Sequence, residues 1–371
     1  MSLISLCMIV KNESHNLSRC LDSVKDLVDE MIVVDTGSTD NTVDIAKGYG
    51  AKVGFFEWCD DFAAARNHSL SLASGDWILV LDADEELVIG EGVSIQDIRH
   101  FLQNSLDSDT DSCGIRLRDI HDKESSGDCY MMRLLRNRAN LKFTGVFHEW
   151  VHCQFPQYLQ EINILHYGYS KELLDKKRKR RNIPLLEKAY QEGNLDINLL
   201  ICLANMYRNI GDTQKAEKYL AEVWEQLLPY LVNSTIPPNS SYIPLYLTEQ
   251  CHRALQVDDI DTASLIVQYS EVHFFRYPPL IYLAGVTLSR IGFLLGAMAY
   301  YEKCLQIQDT SFISSYEFDR AYITYYPAYD LGCIHHKKGN MQEAIRLFQL
   351  ALDFNSDFEE AREYLQALLS K

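Results

Sequence analysis

The chain has 371 residues, of which 47% are hydrophobic and 23% charged, and a formal net charge of −17. That length exceeds one ordinary core and predicts two domains of roughly 100 to 200 residues each, while the negative charge excludes a global basic field for nucleic acid and favours cationic partners at long range. Ten cysteines with no CxxC pair read as reduced cytosolic thiols, and the first ten residues lack a basic leader and are too short to span a bilayer, so a cytoplasmic chain without a membrane span is expected.

From residue 1 to about 90, apolar runs alternate with amphipathic stretches, the pattern of a parallel sheet with crossover helices. Strands are predicted over residues 3–10, 31–35 and 76–82, with another around 51–58, and each ends in polar residues. Shorter strands are predicted over 114–118, 130–136, 143–151 and 162–169, as a second half of the same domain. Open α/β sheets bind ligands at the carboxyl ends of their strands, so the polar clusters there are the candidate site.

The first strand ends in Lys11, Asn12 and Glu13. The second ends in Asp35, Gly37, Ser38 and Asp40, where Gly37 offers tight backbone access and Asp35 can accept hydrogen bonds from a base or ribose. Ser38 or Asp40 can equally cap the following helix. A helical segment carries Arg66 and Asn67; an isolated helical arginine is usually a surface residue, but this one is within reach of a base or diphosphate in such a fold. The fourth strand delivers Asp82-Ala83-Asp84, paired hard carboxylates suited to Mn²⁺ or Mg²⁺ at a departing diphosphate, with an acidic helix-capping turn as the plainer reading.

A basic run, residues 176–181, marks a boundary; six consecutive charges cover every side of a helix, so most read as solvated. Beyond it the sequence is helical and repeats. Anchoring on Gly211, Asp258, Gly292 and Gly339 places Ala216, Ala263, Ala297 and Ala344 five residues later, and Leu220, Val267, Tyr301 and Phe348 nine later. Ala204, Cys251, Gly285 and Gly332 stand seven before. Discounting loop-like stretches at 229–244 and 309–326 leaves the helix-turn-helix period of tetratricopeptide repeats, about 34 residues, with residues 359–369 as a terminal cap.

Taken together, Lys11-Asn12-Glu13, residues 35–42, Arg66-Asn67, Gly75-Asp76-Trp77 and Asp82-Ala83-Asp84 follow the order of the family 2 glycosyltransferases, which the chain resembles closely over residues 3 to about 88 and more loosely to 169, through Phe143 to Glu149 and His166 to Tyr169. The resemblance implies a GT-A fold, a nucleotide-diphosphate sugar donor with uracil as the expected base, and inversion at the anomeric carbon. It implies that Asp35 contacts the base, that Arg66 supports the nucleotide, and that Asp82 and Asp84 hold ribose and metal. His166 is a possible third metal or diphosphate ligand, or a satisfied buried histidine. Glu149 is the candidate base, with His148 orienting it or contacting acceptor or diphosphate, and a structural salt bridge is the rival use of Glu149.

The expected architecture is a GT-A domain over residues 1–172, a basic connecting helix over 173–195, and tetratricopeptide-like repeats over 196–371. This resembles the repeat-bearing family 2 enzymes that include glycosyltransferases of ribosomal peptides of the sublancin type. A peptide or protein acceptor held by the repeats is therefore expected. The alternatives are a cell-envelope saccharide acceptor, with the repeats used for recruitment or homodimerisation, and a non-catalytic scaffold.

Overall fold

The computed structural model describes residues 3–107, 109–120, 129–138, 140–167, 175, 178–307 and 318–370. The chain folds into two compact units, with the main break between Leu195 and Asp196.

The first unit is built on an eight-stranded sheet. Strands β1 (Ile4–Val10), β2 (Glu30–Asp35), β3 (Lys52–Phe55) and β4 (Trp77–Val80) run parallel in the spatial order β3-β2-β1-β4. The sheet continues through β7 (Cys129–Arg136), β6 (Ser112–Asp119), β10 (Pro156–His166) and β5 (Glu85–Ile89), with β7 antiparallel to both β4 and β6, β10 parallel to β6, and β5 antiparallel to β10.

Period-two alternation decides what each face covers. Ile4, Leu6, Met8 and Val10 of β1, with Trp77 and Leu79 of β4, pack under α1 (Leu17–Val24), α2 (Thr42–Gly48) and α4 (Ile95–His100). Cys7 of β1, with Ile78 and Val80 of β4, packs on the other face with Ala63 of α3 (Phe62–Ser71). Helices therefore leave for both faces where the strand order reverses beside β1, and this opens the crevice in which such sheets bind ligands.

Two features differ from expectation. Residues 85–89, where no strand is predicted, form β5 and pair with β10. Residues 143–151 are two short strands, β8 (Phe143–Thr144) and β9 (Trp150–Val151), because Gly145 and His148 both take left-handed backbone angles, φ +98° and +50°, and fold the run back on itself. Within the first unit, a π-helical stretch (Arg178–Asn182) leads into α5 (Ile183–Gln191), where Lys188 Nζ lies 2.8 Å from Asp60 Oδ2. Lys176 and Lys177 of the basic run, and Gly168 and Tyr169 of the motif after His166, lie outside the described residues.

The second unit is helical. Its helices are α6 (Ile197–Asn209), α7 (Thr213–Asn233), α8 (Ile243–Gln256), α9 (Ile260–His273), α10 (Pro278–Arg290), α11 (Leu294–Leu305), α12 (Tyr325–Lys337), α13 (Met341–Phe354) and α14 (Glu359–Leu369), with α8 packed on α9, α10 on α11 and α12 on α13. The four anchors sit in turns between consecutive helices, all with φ between +61° and +84°. The alanines five residues on are fully buried. Gly285 and Gly332 matter for space: a Cβ there would meet the Tyr301 ring at 2.6 Å and the Phe348 ring at 2.8 Å. Val267 departs from the pattern, being only half-buried, and Ile266 fills the core in its place. Residues 229–233 are helical rather than loop, since α7 continues through Pro229 to Asn233. Most of the second loop-like stretch, 309–317, lies outside the described residues.

Candidate active site

The loops after β1 and β2 are knitted into one wall. Asn12, at φ +56°, donates its amide to Ser38 Oγ (2.9 Å), and its side-chain Oδ1 accepts from the Thr39 amide (2.7 Å). The Glu13 amide donates to Thr42 Oγ1 (2.8 Å) and the Ser14 amide to Asp40 Oδ2 (3.2 Å). Asp35 is buried and accepts the amides of Gly37 and Ser38, both at 3.0 Å. The Thr42 hydroxyl and the Ser14 and Thr42 amides hold the Asp40 carboxyl well below the usual carboxylate range. Asp35, Ser38 and Asp40 thus shape the loops before they meet any ligand. Gly37 is needed for its φ of +106° rather than for space, because nothing lies within 4 Å of the Cβ it lacks. Lys11 is exposed at the rim.

Arg66 is the centre of the site, and it is buried, not a surface residue. Asp61 caps α3 by accepting the Ala64 amide at 2.9 Å, and the helix presents Arg66 inward. Its Nη2 donates to Asp82 Oδ1 at 2.6 Å and its Nε to Glu149 Oε1. Asp82 Oδ2 lies 3.3 Å from Arg133 Nη2, and Arg133 also donates to Glu85 Oε1. Three carboxylates therefore alternate with two guanidiniums in the order Glu149, Arg66, Asp82, Arg133, Glu85.

Burial alone would raise the Asp82 pKa, yet Arg66 and then Arg133 pull it well below its ordinary value. Burial of Glu85 dominates instead and pushes its pKa up, with Asp82 adding to the effect against Arg133. Burial disfavours the charge on Arg66, but Asp82 and Glu149 outweigh it and hold its pKa above the usual range. Arg66 Nη1 and Arg133 Nε are buried without a hydrogen-bond partner among the described residues, so the cluster still holds donor capacity there.

Sequence reasoning does not find Arg133 and Glu85. The available signal is a lone arginine in the apolar strand Tyr130-Met131-Met132-Arg133-Leu134-Leu135, since a buried charge needs a partner.

The β5–β10 register pairs Glu85 with His166 and so sets His166 beside Asp84, with His166 Nε2 at 3.7 Å from Asp84 Oδ2. The Asp84 carbonyl accepts the Tyr167 amide at 2.9 Å. The expected metal trio is not assembled: Asp82 turns to the two guanidiniums, and among the described residues no three His, Cys, Asp or Glu side chains converge as a metal cage. Asp84 and His166 remain as two fitting ligands, enough for Mn²⁺ or Mg²⁺ where diphosphate oxygens complete the shell.

Asn67 has a structural task. Its Nδ2 donates to the Phe143 carbonyl (2.9 Å) and its Oδ1 accepts the Phe143 amide (2.8 Å), which spends the side chain on clamping the β8–β9 turn. That turn carries His148, exposed, and Glu149, partly buried against Arg66. The Gly75-Asp76 motif lies at the opposite end of the strands, where the Gly75 amide donates to Ser5 Oγ (2.8 Å) and a Cβ would stand 2.8 Å from the Leu3 carbonyl oxygen.

The family model "Glycosyl transferase family 2" matches residues 5–90, and the model "Tetratricopeptide repeat" matches residues 327–358, the α12–α13 pair. A TPR repeat-containing protein of Synechococcus elongatus is 37% identical over 241 residues, covering 62% of this chain and 58% of that protein. The SPbeta prophage-derived glycosyltransferase SunS of Bacillus subtilis is 32% identical over 194 residues, covering 50% and 44%. An uncharacterized glycosyltransferase of Rickettsia felis is 48% identical over 87 residues, covering 24% and 30%. The chain spans less than two thirds of each of these relatives. The mixed sheet thus carries a stretch, residues 5–90, that matches the glycosyl transferase family 2 model, and the helical second unit carries one, residues 327–358, that matches the tetratricopeptide repeat model.

Proposed function

We propose that this chain is a metal-dependent inverting glycosyltransferase that moves a sugar from a UDP-sugar donor to a Cys, Ser or Thr side chain of a peptide or protein held by its repeats. The domain limits that go with this reading are 1–172, 173–195 and 196–371. The observation that carries it is the Asp84–His166 pair at the carboxyl edge of β4, beside a buried chain of alternating charge that reaches Glu149.

A bound Mn²⁺ or Mg²⁺ would supply charge neutralisation for the departing diphosphate. Asp84 and His166 would hold that ion. The wall made by Lys11, Asn12, Glu13, Asp35, Gly37, Ser38 and Asp40 receives the nucleoside. Arg66 and Arg133 fix the Asp82 carboxylate toward the ribose, and preorganised charge of this kind need not reorganise during the reaction. Glu149 takes the acceptor proton as the nucleophile attacks the anomeric carbon from the face opposite the diphosphate, and His148 lines the approach. A thiol acceptor ionises near neutral pH and asks less of that base. Support for a peptide acceptor comes from the repeats, whose stacked helices present extended binding surfaces, and the match to the glycosyltransferase SunS supports sugar transfer.

The test is nucleotide-diphosphate release from a panel of UDP-, GDP- and dTDP-sugars with Mn²⁺, with and without EDTA. Release from one donor that stops with EDTA or with Asp84→Ala supports the reading. Release unaffected by either removes the metal role, and silence with no donor binding favours a scaffold.

A further inference from the structure

Apart from the charge chain, the first unit holds a cavity of about 340 Å³ at the carboxyl end of β3, lined by Trp58, Asp60, Arg180, Arg181, Leu185 and Lys188 among others. Three cations face one carboxylate there, in a chain whose net charge is −17. The wall is braced before any ligand arrives. The Trp58 indole N–H donates to Asp60 Oδ1 (3.0 Å), and Lys188 Nζ donates to Asp60 Oδ2 (2.8 Å). Asp60 itself sits at φ +61°, a conformation aspartate tolerates better than most residues. Its carboxylate holds Trp58 and Lys188 in place, and with Arg180 and Arg181 in the same lining the cavity carries more positive than negative groups.

An aromatic relay joins this cavity to the turn that carries Glu149. Trp58 packs edge-on against Phe62 with centroids 4.7 Å apart, Phe62 meets Phe147 at 6.1 Å, and Phe147 immediately precedes His148 and Glu149. The Phe62 amide also donates to the Val146 carbonyl at 3.1 Å, and the Arg181 guanidinium lies 5.2 Å from the Phe62 ring centre. The nucleoside wall, by contrast, is built from the loops after β1 and β2, and the metal pair follows β4.

We infer that this cavity is an anion subsite for the acceptor: it takes a phosphate or carboxylate carried on an apolar or planar body, the body against Trp58 and the anion on Arg180 and Arg181. Arginine suits this role because its planar fork of donors matches both anions and stacks on rings. The assignment to the acceptor rests on the transferase reading, whereas the anion site itself does not.

The probe is phenyl phosphate, titrated calorimetrically into the full chain with phenol as the control, in the presence and absence of UDP and Mn²⁺. Phenyl phosphate is expected to bind, phenol to bind far more weakly, and UDP not to displace the probe. The double variant Arg180→Gln/Arg181→Gln should weaken phenyl phosphate binding about tenfold or more, as loss of charge-assisted hydrogen bonds implies, with UDP affinity unchanged. Both arginines are exposed, so the variant is expected to fold, and circular dichroism checks this. Equal binding of phenol, or full affinity in the double variant, overturns the anion site. Displacement by UDP overturns the acceptor assignment and gives the cavity to the donor. Because binding is read without turnover, a chain that holds phenyl phosphate yet releases no nucleotide from any donor overturns the transferase reading and not the anion site.

Discussion

Arg66 Nη2 lies 2.6 Å from Asp82 Oδ1, so a helix residue and a strand-end residue 16 positions apart form a short ion pair at the sheet's carboxyl edge. The arginine side chain is 8% exposed and the aspartate 35%, so the pair straddles the boundary between core and crevice. Arg66 also pairs with Glu149, which makes it the tie between strand end and hairpin.

Replacing Arg66 with Met should destabilise the first unit by roughly 3 kcal/mol, since removing one partner of a buried pair leaves the other charge uncompensated. Arg66→Lys should recover only part of this, because an ammonium cannot address Asp82 and Glu149 with the same planar fork. Urea denaturation monitored by tryptophan fluorescence checks both. A loss below about 1 kcal/mol, the range of exposed pairs, would show that the network adds little to folding.

Glu149→Gln keeps an oxygen for Arg66 while removing the proton acceptor. If Glu149 is the base, turnover at saturating acceptor should fall about a hundredfold or more, with donor affinity little changed. Unaltered turnover would leave Glu149 with its structural pairing alone.

In the repeats, Gly285→Ala should cost about 1–3 kcal/mol, the usual range for overpacking, because the new methyl would stand 2.6 Å from the Tyr301 ring. Combining it with Tyr301→Leu should cost less than the sum of the two single changes, a coupling that a double-mutant cycle measures. Strict additivity would show that the helices shift apart instead.

Asp330, on α12, accepts the Tyr282 hydroxyl at 2.6 Å, and burial raises its pKa to about 6 from an ordinary 3.8. A carboxyl whose folded pKa is raised holds its proton more tightly in the folded state. Its unfavourable ionisation is absent below the unfolded pKa and sets in as pH rises from about 4 through about 6. Asp330→Asn should therefore gain on the parent at pH 8 relative to pH 4.5, by on the order of 1–2 kcal/mol after allowance for partial exposure. Thermal denaturation at the two pH values reads this difference directly, and an equal effect at both would place the Asp330 charge in solvent.

Much of the architecture was legible in the order of residues. The strands at 3–10 and 31–35 and the repeat anchors emerged because periods of two and of about 34 are local properties that survive any tertiary arrangement. Elements whose pattern is overridden by a neighbour were not legible. β5 hides inside an acidic stretch because its partner β10 lies more than 70 residues away, and the 143–151 run looks continuous until two left-handed residues fold it back. The site divides the same way. The carboxylates at strand ends were visible as residue types, yet Asn67 and Asp35 spend their polar groups on backbone amides or carbonyls, which only the folded chain reveals.

By itself, then, the sequence determined a strand-and-helix alternation, a helical repeat, and a set of polar residues delivered to one edge of a sheet, because each follows from short-range periodicity and from where apolar strands stop. Only the tertiary structure decided which charges meet. Arg133 reaches Asp82 across 51 residues and Arg66 reaches Glu149 across 83. Burial forces each buried charge to find an opposite partner in space, wherever in the chain that partner lies.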